Sequence, residues 1–268
     1  MNKINLPLFS KNAISHAISA STPSYKALIL LLSSLTLAAC GTSSTVDEDS
    51  EPGVDSGNND EITEIVDISN AVFTEQSADC YDYINTYEAS VVDIQNSVGF
   101  ESGVLISGEN DFCSIISNAI PNHNFNDASA SFADHVAEVD QAYVIPRLPE
   151  LSESSTAFSQ QLINAVMLNG VNLDLLSAGC YRPDDANADA DGNVAIGCSV
   201  ADAWLLDPLG TEHKFGADAH NAHVQPGGLY HYHGNPNAMF DDNPGPTGSP
   251  VIGFAGDGFP IYGSYFLE

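Results

Sequence analysis

Basic residues are what this sequence most lacks. Six lysines and arginines stand against 36 aspartates and glutamates in 268 residues. Lys3, Lys11 and Lys26 fall within the first forty, so the remainder keeps Arg147, Arg182 and Lys214 and a net charge near −33. A surface of that sign repels phosphate backbones and anionic lipid headgroups, which argues against a nucleic-acid partner. It attracts cations and keeps a chain soluble in salt. No His-Glu-x-x-His, Gly-x-Ser-x-Gly or other specific hydrolytic signature is present. Long amphipathic helical periodicity is missing too, and no apolar run is long enough to span a bilayer.

The longest apolar run, residues 27–39, has the form of a signal-peptide core with small residues at its end. Leu37-Ala38-Ala39-Cys40-Gly41 resembles a bacterial lipobox, in which the cysteine is lipidated and becomes the mature N-terminus. Residues 1–39 are therefore read as a lipoprotein signal peptide and Cys40 as the lipidation site. Thr42 is not the Asp of the inner-membrane retention signal, so the expected location is the outer membrane or cell surface, with the lipid as the sole membrane contact. Residues 40–67 carry acids and no base, a composition that reads as a flexible, self-repelling tether.

Beyond the tether the expectation is a mainly β protein, a sandwich or distorted barrel with long loops. Short β-rich runs with Gly, Pro and Asn punctuation support it: 90–94, 103–106, 143–146, 204–206 and 251–255. The segment 161–167 suits a short strand or a helical turn leading into Asn169-Gly170, a hairpin signal, as is Asp257-Gly258. The reading divides the chain into an N-terminal β part, 68–140, and a C-terminal part, 141–268. Two packed β subdomains are the alternative to one domain. Cys80, Cys113, Cys180 and Cys198 suit an oxidising compartment, and the most local of three arrangements pairs Cys80 with Cys113 and Cys180 with Cys198.

Two stretches suggest bound ions. Asp185, Asn187, Asp189 and Asp191, followed by Gly192, place oxygen ligands at every second position as a calcium loop does, but Cys198 stands where an EF-hand has Glu. The competing reading is an acidic loop pinned by a disulfide. The second stretch is Tyr230-His231-Tyr232-His233, flanked by glycines. On a strand, His231 and His233 share one face and Tyr230 and Tyr232 the other. His220 and His223 lie just upstream, so half of the eight histidines fall within fourteen residues. His231, His233 and His223 are the first candidates for a divalent-metal site, with His220 and Asp257 as further candidates. Neutral imidazoles suit zinc or copper. The competing readings are a hydrogen-bonded core pair for the histidines and ordinary turn chemistry for Asp257.

Asn221-Ala222-His223-Val224-Gln225-Pro226, Tyr230-His231-Tyr232-His233-Gly234 and Ile252 to Gly263 resemble the bacterial YHYH domain family, with a fainter match through Ile145-Pro146, Asn169-Gly170-Val171 and Trp204. The resemblance implies an exported, predominantly β protein and no particular activity. The family pattern continues further than Glu268, so a C-terminal truncation with missing ligands is also expected. Three functions follow. The favoured one is a surface lipoprotein that binds a metal or small molecule without turnover. The others are a metal-dependent hydrolase, and a structural or adhesive module with calcium at 185–193.

Overall fold

The computed structural model describes residues 65–160, 162–210 and 215–266. The signal segment, Cys40 and all of the tether but its last three residues lie outside them. Those three residues form a strand: Ile65–Asp67 (β1) pairs in parallel with Asn85–Asp93 (β2), because Ile65 and Val66 supply apolar side chains where the acidic run ends. β2 continues as an antiparallel meander through Val98–Glu109 (β3), Phe112–Ser117 (β4) and Gln141–Pro146 (β5). One face of this five-stranded sheet is buried by alternating residues, among them Val91, Val104, Ile106, Ile115, Tyr143 and Ile145. The Cys80–Cys113 disulfide ties the turn before β2 to β4.

A second sheet has six short strands: Ala165–Met167 (β6), Asn172–Leu173 (β7), Ala222–Val224 (β10), Tyr230–Tyr232 (β11), Val251–Ala255 (β12) and Pro260–Tyr262 (β13). Its order is β10-β11-β7-β6-β12-β13. Residues 165–167 are thus strand, and Asn169-Gly170 closes the β6–β7 hairpin as its turn chemistry predicts. A small ladder of Cys180–Tyr181 (β8) and Asn193–Val194 (β9) frames the acidic loop, closed by the Cys180–Cys198 disulfide. Both disulfides follow the expected local pairing. The sheets are open, no barrel closes, and the only helical segments among the described residues are two short 3-10 turns. The fold is mainly β and consistent with a sandwich.

One buried cluster joins residues of the two large sheets. Tyr83 meets Phe254 edge-on at 5.7 Å, and Phe125 meets Tyr230 at 5.2 Å. The Ser117 hydroxyl donates to the carbonyl of Gly170 at 2.7 Å. The expectation that fails is a strand at Trp204. That segment makes a single isolated bridge, Cys180 to Leu205, and the Trp204 side chain is 71% exposed. The turn at residues 201–203 and the proline after Asp207 leave no room for a ladder.

Candidate metal centre

The histidine site is built on a hairpin. Asp218 sets its start: its Oδ1 accepts from the amides of His220 and Ala222 at 2.9 and 3.3 Å. Asn221 takes φ of 58°, a left-handed conformation that asparagine tolerates, and turns the chain into β10. Gly227 and Gly228 carry it round to β11. Gly228 has φ of 86°, and a Cβ there would stand 2.5 Å from that of Ala137, so glycine is required for the hairpin to lie against this segment. Register then places His223 opposite His231.

Alternation along β11 separates two environments, as the sequence suggests. Tyr230 and Tyr232 are fully buried and pack edge-to-face at 5.7 Å. On the other face His231 and His233 meet His223. The three rings stand 4.7, 4.8 and 4.8 Å apart, nearly an equilateral triangle. His223 Nε2 lies 3.2 Å from His231 Nε2 and 3.0 Å from His233 Nε2. His231 and His233 are buried and His223 half-buried.

The outward nitrogens fix the tautomers. His223 Nδ1 faces the carbonyl of Phe215 at 3.2 Å, His231 Nδ1 that of Leu229 at 3.3 Å, and His233 Nδ1 that of Asp174 at 2.5 Å. A carbonyl can only accept, so each Nδ1 carries the hydrogen and each Nε2 keeps its lone pair. Three lone pairs therefore converge. Burial, with His233 alongside, pushes the His223 imidazolium pKa down to about 4, so the ring is neutral at physiological pH. Tetrahedral zinc with bonds of ~2.0–2.1 Å needs nitrogens about 3.3 Å apart. The two Nε2 separations are close to that. Backbone carbonyls orienting the outer N–H groups are what imidazole ligands of a metal ordinarily have. These residues form a group able to hold a metal ion, and their donor set fits zinc or copper. Phe215 covers it, its ring 5.1 Å from that of His223 and 5.4 Å from that of His233.

The other predicted ligands lie elsewhere. His220 packs against His123 with tilted rings 4.1 Å apart instead of joining the three. It lies in the Asp218 turn, before β10 begins, so the alternation of the hairpin does not govern it. Asp257 is exposed in the β12–β13 turn, where its neighbour Gly258 supplies the required φ of 90°. The acids of the 185–191 loop do not gather. Asp185 bonds the Asn187 amide and Arg182, and Asp189 caps the amides of Asp191 and Asn193. These carboxylates terminate turns, which accounts for their spacing without calcium. Cys180 and Cys198 approach Asp202, but their sulfurs are bonded to each other and Asp202 pairs with Arg182.

The sequence places Tyr230 and Tyr232 on a packed face but does not reveal their hydrogen bonds. Tyr232 Oη lies 2.7 Å from His123 Nε2. His123 Nδ1 donates to the Asn124 carbonyl, so Nε2 is the acceptor of the tyrosine proton. Tyr232 in turn accepts from Asn169 Nδ2 at 2.9 Å, and Asn169 also donates to Asn122. Tyr230 donates to Asp218 at 2.8 Å. Burial raises the Asp218 carboxyl above the usual range, against the hydrogen bonds it accepts. His123 reads as a bystander in sequence because its partner is 109 residues away.

Residues 142–268 match the family model described as YHYH protein. No curated protein and no solved structure matches the chain.

Proposed function

We propose that this chain, which belongs through residues 142–268 to the YHYH protein family, is a cell-envelope lipoprotein that binds a divalent metal through His223, His231 and His233. The convergence of three Nε2 lone pairs, each imposed by an outward N–H bonded to a backbone carbonyl, carries this reading. A hydrogen-bonded core pair would need a proton between two rings, whereas three neutral imidazoles whose lone pairs converge at this spacing repel one another until a cation joins them. Zinc or copper bound by three imidazoles retains a position for an exogenous ligand.

Binding without turnover is favoured over hydrolysis, because Asp257, the carboxylate that the sequence offers as a partner, lies elsewhere. Asp257 is exposed in its turn, and Asp218 serves the tyrosine face. Export and lipidation at Cys40, with an outer-membrane or surface location, are supported by the apolar run, the lipobox-like sequence and the two disulfides.

Elemental analysis of the purified protein beside the His231→Ala/His233→Ala variant tests the metal reading. Stoichiometric zinc or copper is expected in the natural protein and absent from the variant. Equal, substoichiometric metal in both would leave the histidines as a structural group.

A further inference from the structure

We infer that Asn172 is the group of this site that selects the metal's exogenous ligand, an inference that rests on the metal reading above. Strand pairing places the residue. Tyr232 pairs in parallel with Leu173, so one step back on each strand His231 and Asn172 stand side by side on one face. One step forward, His233 stands beside Asp174, whose carbonyl it bonds. Since His223 pairs with His231, the residues His223, His231 and Asn172 form a row across β10, β11 and β7.

The side chain of Asn172 is fully buried, and neither Nδ2 nor Oδ1 has a hydrogen-bond partner among the described residues. The other buried asparagines differ. Asn118 bonds two backbone groups of β3, Asn122 spans two carbonyls, Asn126 bonds Asp93, and Asn169 bonds Asn122 and Tyr232. A leucine at 172 would fill a similar volume and leave no buried polar atom unpaired, so the protein alone gives no physical reason for an amide. The reason is a ligand held beside the histidines.

An amide offers a donor and an acceptor about two ångströms apart, so it is satisfied by a partner carrying an acceptor next to an O–H or N–H. The ligand class is therefore the hydroxamic acid or primary amide, seated with one atom toward the histidines. A simple anion such as azide engages Nδ2 alone.

The experiment uses the full-length chain loaded with cobalt(II), whose visible spectrum reports coordination. Acetohydroxamate and azide are titrated into the natural protein, Asn172→Leu and Asn172→Ala. Both variants are expected to keep full cobalt content, to bind acetohydroxamate at least about tenfold more weakly, and to bind azide within about twofold of the natural protein. The metal-free Asn172→Leu protein should melt no lower than the natural one. Unchanged acetohydroxamate affinity in the variants overturns the role of Asn172 and leaves the metal site standing. Loss of cobalt or of metal-free stability in both variants assigns the amide a structural role and overturns it equally. Failure of the natural protein to take up cobalt, zinc or copper defeats the metal reading and this inference with it.

Discussion

Replacing Tyr232 by phenylalanine isolates the hydroxyl that joins the second sheet to the segment after β4. The ring stays, so the packing against Tyr230 is kept and no cavity larger than one oxygen opens. Two buried groups lose a partner. His123 Nε2 loses the donor at 2.7 Å and is left an unpaired acceptor, and Asn169 Nδ2 loses the oxygen at 2.9 Å but keeps Asn122. An unsatisfied buried group costs about 1–3 kcal/mol. The first loss is complete and the second partial, so the expected destabilisation is about 2–4 kcal/mol, a large share of the stability of an ordinary domain. Urea denaturation at pH 7.5, read at constant m-value, measures it. Because Tyr232 faces away from His231 and His233, metal content should not change. A loss below about 1 kcal/mol would refute the hydrogen-bond reasoning, and metal loss would refute the view that the two faces of β11 are independent.

Acid weakens the fold through His123. Burial, with His220 beside it, holds its folded-state pKa down to about 3, while the unfolded imidazole titrates near 6.5. The unfolded state therefore takes up the proton first, so this contribution is complete above pH 6.5 and is lost as pH falls toward 3. At pH 5 the loss is ~2 kcal/mol, and denaturation of the natural protein should show that much more sensitivity between pH 7.5 and 5 than His123→Gln does; equal sensitivity would remove His123 as the cause. Gly258→Ala should cost at least about 2 kcal/mol, measured by thermal melting, because φ is 90° and the new methyl carbon would meet the Pro146 carbonyl oxygen at 2.2 Å. A melt unchanged within error would mean that the β12–β13 turn does not bear on β5.

What the sequence makes legible here is local. Alternation reveals β11 and its two faces, because period-two patterning survives even in a three-residue strand. Turn dipeptides reveal both hairpins of the second sheet that they mark, and short separations suffice for the cysteine pairing. The triad is legible for the same reason: His223 lies eight residues from His231, joined to it by one hairpin. Spacing fails where the partner is distant or the pattern serves another purpose. Asp185 and Asp189 alternate because each accepts from the amides of its own turn, and Trp204 sits in an apolar run that makes one isolated bridge instead of a ladder. Asn172 carries no signal of its own, since its meaning depends on β7 lying beside β11, a parallel contact between segments about sixty residues apart.

The meander of the first sheet ends on a strand that the family match enters. Residues 142–268 carry the family pattern, yet β5 pairs residue for residue with β4 from Gln141 to Pro146. Arg147 reaches back to grip Asp79 with two nitrogens, Gly170 takes the Ser117 hydroxyl, and Tyr232 takes His123. Heredity and folding thus draw their borders in different places. The matched segment, taken alone, would begin inside a ladder and carry an open β edge where β4 now pairs.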